Sequence, residues 1–311
     1  VPHNDANFGI GTLGDFVPAG YDTMAVFRSP DPRGCRRPSL SMNSDDCNVE
    51  RRSKTMADNT VRYEVSNRVA RITLDRPPVN ALSLDMIRRV VGAFRQAADD
   101  ETVRVVVLTS AVSKRFCAGL DLNILIGKSE EKVRNLVQAL YVQLHDAQYN
   151  LGKPSIAAIA GAARGGGMTM AISCDVLLAG KSATFGYPEI DVGVIPAIHY
   201  AHLPRIVGRH RAFELLFSGR SFDSEEAYRL GLLSRIVPDA EVDSAALALA
   251  ETFAGKSPTV MRLGRAAFMR QNDLDYRRSI ANAAEDFCTV AMTDTAQEWL
   301  QAFVDKRSPR G

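Results

Sequence analysis

Cysteine is scarce in this chain, and its pattern is unpaired. Cys35, Cys47, Cys117, Cys174 and Cys288 make an odd set of five with no C-x-x-C spacing. Such a set argues against a disulfide framework and a cysteine-held zinc, and the expectation is reduced thiols in a cytoplasmic protein. Charge of one sign is also missing, since 38 Lys and Arg against 36 Asp and Glu leave a formal net charge of +2. That balance implies no nucleic-acid partner. No long hydrophobic run exists either: the best candidate, Ser155 to Ala163, is cut by Arg164. A bilayer needs roughly 18–20 apolar residues, so no membrane span is expected. What is present is a composition of 46% apolar and 24% charged residues over 311 positions. This is the profile of a globular protein, long enough for one large domain or two ordinary ones.

Residues 1–56 differ in texture from the rest. They carry five Pro, five Gly and five Ser with no sustained helical or strand period, and they bury too little to order themselves. A basic start followed by an apolar stretch is absent, so no secretory signal is expected there. The segment reads as a disordered extension or as a start assigned upstream of Met56.

From Val61 the signals become regular. Val69 to Leu74 reads as a strand ended by Pro77 and Pro78, because proline cannot continue a ladder. Ser83 caps a predicted helix with Met86, Ile87, Val90, Phe94 and Ala97 at helical spacing, and Val103 to Leu108 reads as a strand buried on both faces. A helix is predicted from Glu130 to Tyr149 with Val133, Leu136, Val137, Leu140 and Leu144 inward. A buried strand Ser155 to Ile159, a short helix opening at Gly166, and strands near Val176–Ala179 and Ala183–Gly186 follow. After Arg209 the pattern turns helical, with a cap at Ser257-Pro258 and a capping box at Asp294 to Gln297. The organisation expected is an α/β core over 57–255 and an α-helical module over 256–311.

Two glycine patterns are decoys. Residues 9–14 have dinucleotide-fingerprint spacing, yet they follow no strand and open no helix. Gly127-Lys128-Ser129 resembles the end of a phosphate-binding loop, but the required earlier glycine is Leu122. His199 and His202 are spaced like helix-borne metal ligands with no acidic or cysteine partner nearby in sequence, so pocket lining is the better reading.

Three segments carry chemistry. Phe116 to Leu122 contains a small-residue turn, Ala118-Gly119-Leu120-Asp121, for which capping by Asp121 is the plain structural reading. Gly165-Gly166-Gly167 sits where a strand turns into a helix, so backbone N–H groups can approach a ligand with no Cβ in the way. Phe185 to Pro196 is an apolar stretch that carries Glu189 behind a proline. Desolvation would raise that carboxylate toward the range useful for proton transfer.

Taken in this order, the motifs resemble the enoyl-CoA hydratase/isomerase, or crotonase, family from about Val61 to Arg307. The likeness includes Arg76-Pro-Pro-Val-Asn-Ala-Leu82, the A-G-x-D turn, the triple glycine, the P-E-I-x-x-G-x-I-P block and Ala302 to Arg307. It implies an α/β fold of the ClpP/crotonase type, a spiral of ββα units with a helical C-terminal module that assembles trimers or hexamers. It further implies an oxyanion hole at the Leu120 and Gly166 N–H groups, each at a predicted helix N-terminus, with Glu189 as acid/base. Ala81, Leu82, Ala118, Asp121 and Gly165 would contact the acyl-CoA thioester, and Lys306 or Arg307 its phosphates. Coenzyme A would enter with the substrate, and no separate cofactor or metal is expected.

Departures from the family pattern bear on the reaction. Its hydratases use two glutamates, and the first of these positions is Thr169 here, a hydroxyl that orients water but is no acid or base near neutral pH. After Pro196 the chain has Ala197 to Ala201 in place of a glycine-rich stretch, so His199 and Tyr200 are auxiliary candidates or pocket lining. Asp191 points away from Glu189 if the segment is extended. One carboxylate suffices for isomerisation of a 3-enoyl to a 2-enoyl thioester, the first expectation. Hydration supported by Thr169, His199 or Tyr200, thioester hydrolysis, and a non-catalytic or RNA-binding homologue are the alternatives.

Overall fold

The computed structural model describes residues 60–272 and 276–308. The segment 1–56 and its glycine pattern lie outside the described residues. Strands β1 (Val61–Ser66) and β2 (Val69–Leu74) form a hairpin turned by Asn67 and Arg68, both at positive φ. Helix α1 (Leu84–Asp99) follows, with the Ser83 side chain accepting from Met86 N and all five predicted apolar residues buried. Strand β3 is Val105–Ser110, two residues later than predicted, because Val103 is held in a turn by its N–H donating to Asp100 O. Then come β4 (Arg115–Cys117), a 3-10 turn (Leu122–Ile124), and α2 (Glu130–Val137), which runs through a π-helical segment (Gln138–Gln143) into α3 (Leu144–Tyr149).

The single α-helix predicted for Glu130 to Tyr149 is therefore interrupted. Its five predicted inward residues are all buried, but the wider π turn carries Leu140 and Tyr141 together onto the same cavity.

The chain continues with β5 (Ser155–Ile159), β6 (Ala162–Arg164), α4 (Gly166–Ile172), β7 (Val176–Gly180), β8 (Thr184–Gly186) and a 3-10 helix (Pro188–Val192). Next are α5 (Ala197–Val207), α6 (Arg209–Ser218), β9 (Phe222–Asp223), α7 (Ser224–Arg229), β10 (Arg235–Val237), α8 (Val242–Ala254), α9 (Pro258–Asn272), α10 (Tyr276–Ala291) and α11 (Asp294–Val304). The last helix is capped by Thr293, whose side chain accepts from Ala296 N, so the capping box expected at Asp294 is absent. Gln297 instead donates to Ala291 O and accepts from Gly127 N.

Two sheets form, in the orders β1-β2-β3-β5-β7-β10 and β4-β6-β8-β9. In the larger sheet every pair but β1/β2 is parallel. Its alternation splits the core: Val106 and Leu108 join the main cluster with α1, while Val105 and Val107 pack against Val242, Ala246 and Ala250 of α8. This is why Val105 to Leu108 contains no polar residue. Each of β3, β5 and β7 is followed at once by a strand of the smaller sheet and then by a helical segment. That succession is the spiral of ββα units of the crotonase fold. Because β4, β6 and β8 pair in parallel, Cys117 with Ala163 and Arg164 with Gly186, the three segments that leave them emerge side by side.

Candidate active site

The loops after β4, β6 and β8 close one wall of a cavity of about 540 Å³. Ala81, Ala118, Leu120, Asp121, Gly165, Gly166, Thr169, Glu189, Asp191 and Lys306 all line it, so most of the predicted set is brought together. Leu140, Tyr141, Val192, Val194 and Phe287 give the cavity an apolar interior, and Phe303 and Val304 bring the C-terminal helix to its edge.

Leu120 is placed by a parallel bridge to Leu82. Leu82 N donates to Gly119 O at 2.8 Å, and Asp121 N donates to Leu82 O at 3.0 Å. A bridge made through the flanking residues turns the Leu120 N–H to the opposite side. There it meets Gly166, whose added Cβ would lie 3.7 Å from Leu120 N. Gly166 is the first residue of α4, so its own N–H has no intrahelical acceptor. Two backbone donors thus face one cavity. Gly166 opens a short helix as expected, α4 with seven residues, whereas only a three-residue 3-10 turn follows Leu120.

The glycine triplet has mixed causes. Gly165 has φ +47°, and a Cβ there would stand 3.0 Å from Glu189 Oε1. Gly167 is small for packing alone, because its Cβ would sit 2.6 Å from Cys117 O.

Glu189 lies on the 3-10 helix after β8. The residue keeps some exposure along the cavity wall, while its Oε2 is buried without a hydrogen-bond partner among the described residues. Burial pushes the carboxyl up to about 7, which suits proton exchange at neutral pH. Asp191 also reaches the cavity, because the segment is a 3-10 helix and the alternation of an extended strand does not apply. Its carboxylate rests against Gly219 and the residue is exposed, which places it at the rim.

Several expectations are corrected. His199 is fully buried behind Thr169 and lines no part of the cavity. Burial pushes its imidazole down to about 3, so it stays neutral and supplies no proton. Tyr200 is turned away by the helical step from His199 and stacks on Phe217 at 5.8 Å. Leu82 is fully buried beneath Gly166 and forms no part of the lining. Arg307 pairs with Glu298 at 2.6 Å and Asp305 at 3.4 Å rather than lining the cavity. His199 and His202 stand 6.2 Å apart as rings, and no metal-holding group of three or more His, Cys, Asp or Glu occurs among the described residues.

Asp121 does cap, accepting from Asn123 N, and it also pairs with Arg76 Nη2 at 3.0 Å. Arg76 and Asn80 were not foreseen as site builders. Asn80 is fully buried, donates to Ser110 Oγ and Phe116 O, and accepts from Arg76 N. A polar residue amid Pro-Pro-Val and Ala-Leu was the signal available for it. Tyr141 was also missed, although it stands four residues after Val137 and so on the same helical face.

A model of the family described as enoyl-CoA hydratase/isomerase matches residues 64–310 of this chain. Short-chain-enoyl-CoA hydratase of Clostridium acetobutylicum is 31% identical over 260 residues, which cover 81% of this chain and 97% of that protein. Among solved structures, an enoyl-CoA hydratase from Bacillus anthracis is 34% identical with a TM-score of 0.66, covering 81% of this chain and 98% of its own. Human mitochondrial delta3-delta2-enoyl-CoA isomerase is 26% identical with a TM-score of 0.72, covering 80% and 98%.

Proposed function

The chain belongs to the enoyl-CoA hydratase/isomerase family, and on that premise we propose that it moves protons on an acyl-CoA thioester with a single glutamate. The thioester carbonyl accepts from the Leu120 and Gly166 N–H groups. Fixed donors aimed at that oxygen stabilise the enolate formed when a proton leaves the adjacent carbon, and they need no reorganisation as charge develops. Glu189 takes the proton from C2 of a 3-enoyl thioester and returns it at C4, so that the product is the conjugated 2-enoyl thioester. The observation that carries this reading is one desolvated carboxyl near pKa 7, with Thr169 in the cavity wall one helical turn beyond Gly166, while Asp121 is paired with Arg76 and Asp191 sits at the rim.

Hydration of a 2-enoyl thioester is the second reading. It is favoured by the hydroxyl of Thr169 in the cavity wall and by the hydratases among the relatives. The apolar interior suits an acyl chain, and Lys306 at the edge suits a phosphate of coenzyme A. The same proposal includes assembly into trimers or hexamers, which light scattering checks.

The deciding experiment offers straight, branched and aromatic 2-enoyl and 3-enoyl thioesters and follows conjugated-enoyl absorbance with product mass. A gain in absorbance at constant mass supports isomerisation, and a loss with added water supports hydration. Free coenzyme A would indicate hydrolysis. No change with any substrate would overturn the enzymatic reading and favour a binding protein.

A further inference from the structure

Thr169 and His199 meet behind the cavity, with Thr169 Oγ1 3.3 Å from His199 Nε2. A hydroxyl and a neutral imidazole can bond in either direction, and the direction decides what the hydroxyl offers a ligand. The surroundings of the ring fix it. Nδ1 of His199 has no partner among the described residues, and a bare buried acceptor is tolerated better than an orphaned N–H. The ring proton therefore belongs on Nε2, the nitrogen that faces Thr169 Oγ1.

We propose that His199 is a positioning residue: its Nε2–H donates to Thr169 Oγ1 and commits the threonine proton to an oxygen acceptor inside the cavity. The acceptor is the reacting water or a hydroxyl on the acyl chain. Thr169 is then a fixed donor and never a base, which leaves proton acceptance to Glu189. This inference rests on the acyl-CoA reading above.

A nitrogen-15 correlation spectrum of the imidazole tests the direction with no need of turnover. A proton on Nε2 is expected, and a proton on Nδ1 overturns the proposal. The role is tested with Thr169→Val, His199→Phe and the double variant. Each single change should lower turnover by roughly 3–10-fold, the worth of one neutral hydrogen bond, and the double should be no worse than Thr169→Val. Independent, multiplying losses overturn the positioning role. Hydration of 2-butenoyl-CoA and KM for 3-hydroxybutanoyl-CoA separate the two acceptors: a fall in kcat for the first marks water, and a rise in KM for the second marks the acyl hydroxyl. Should His199→Phe fail to fold, His199→Gln and His199→Asn replace it. Gln places its amide near Nε2 and should regain most of the rate, whereas Asn places it near Nδ1 and should not; equal rates overturn the proposal. Glu189→Gln serves as the control, because turnover that survives it sinks the acyl-CoA mechanism and not the Thr169–His199 geometry.

Discussion

Glu189 leans on the backbone of Gly165, with its Oε1 3.0 Å from the place a Cβ at that residue would occupy. The strand-to-helix turn and the carboxylate therefore share one volume. Gly165→Ala should cost about 1–3 kcal/mol for a side chain at φ +47°, and it should lower turnover by roughly 10²-fold as the carboxylate is pushed aside. Melting curves and kcat, measured on the same preparation, check both parts. Normal turnover would show that Glu189 does not need this seat.

Glu189→Gln keeps the shape and removes the base. Turnover should fall by roughly 10²–10⁴-fold with little change in KM. In the unaltered protein kcat/KM should rise with pH through about 7 as the carboxyl ionises. A flat profile between pH 5 and 9 would contradict the assignment.

The same substitution has a stability signature. The folded pKa of Glu189 lies above its unfolded value of about 4.5, so its contribution is fully present below pH 4.5 and is lost as pH rises through 7. Glu189→Gln should therefore match the unaltered protein near pH 4.5 and exceed it at pH 8, by on the order of 1–3 kcal/mol. Denaturant titrations at the two pH values test the sign.

Buried histidines act the other way. Burial pushes His145 down to about 4, His199 to about 3, and His202 well below its usual range. Depressed values give stability that is full above pH 6.5 and is lost as pH falls toward 4 and 3. His199→Gln should make the melting temperature less steep with pH over that window. An unchanged slope would mean that His199 does not titrate on unfolding.

Thr293→Ala should cost about 1 kcal/mol because Thr293 Oγ1 accepts from Ala296 N. Asp294→Ala should cost only about 0.3–0.5 kcal/mol through the helix dipole. The reverse order in a denaturant titration would restore the capping box read from Asp294 and Gln297.

Local chemistry was legible wherever the signal is short in range. The apolar spacing of Met86 to Ala97 predicts the helix that forms, and Ser83 caps it as read. The β-branched run to Leu108 predicts a strand buried on both faces, and α8 and the main core cover those faces. Glu189 was readable as a candidate, since a glutamate in an apolar stretch has either solvent or a site, and it lines the cavity with its carboxyl raised by burial. Boundaries were less legible: β3 begins two residues late because Val103 is committed to a turn with Asp100.

By itself, then, the order of residues determined the alternation of the longer strands with helices, the glycine turn and the candidate carboxylate, because each follows from periodicity, proline and glycine sterics, or desolvation acting over a few residues. The ββα succession was implied only by the family resemblance, since β4 and β6 have three residues each and carry no readable period. Only the tertiary structure decided what stands behind Thr169. His199 is thirty positions away in sequence and was read as lining, and its place depends on how α5 packs on α4. Tyr200 and Arg307 were drawn elsewhere, onto Phe217 and Glu298, by partners no local pattern indicates. The parallel pairing of β4, β6 and β8 likewise exists only in three dimensions, and it is what sets Leu120, Gly166 and Glu189 around one cavity.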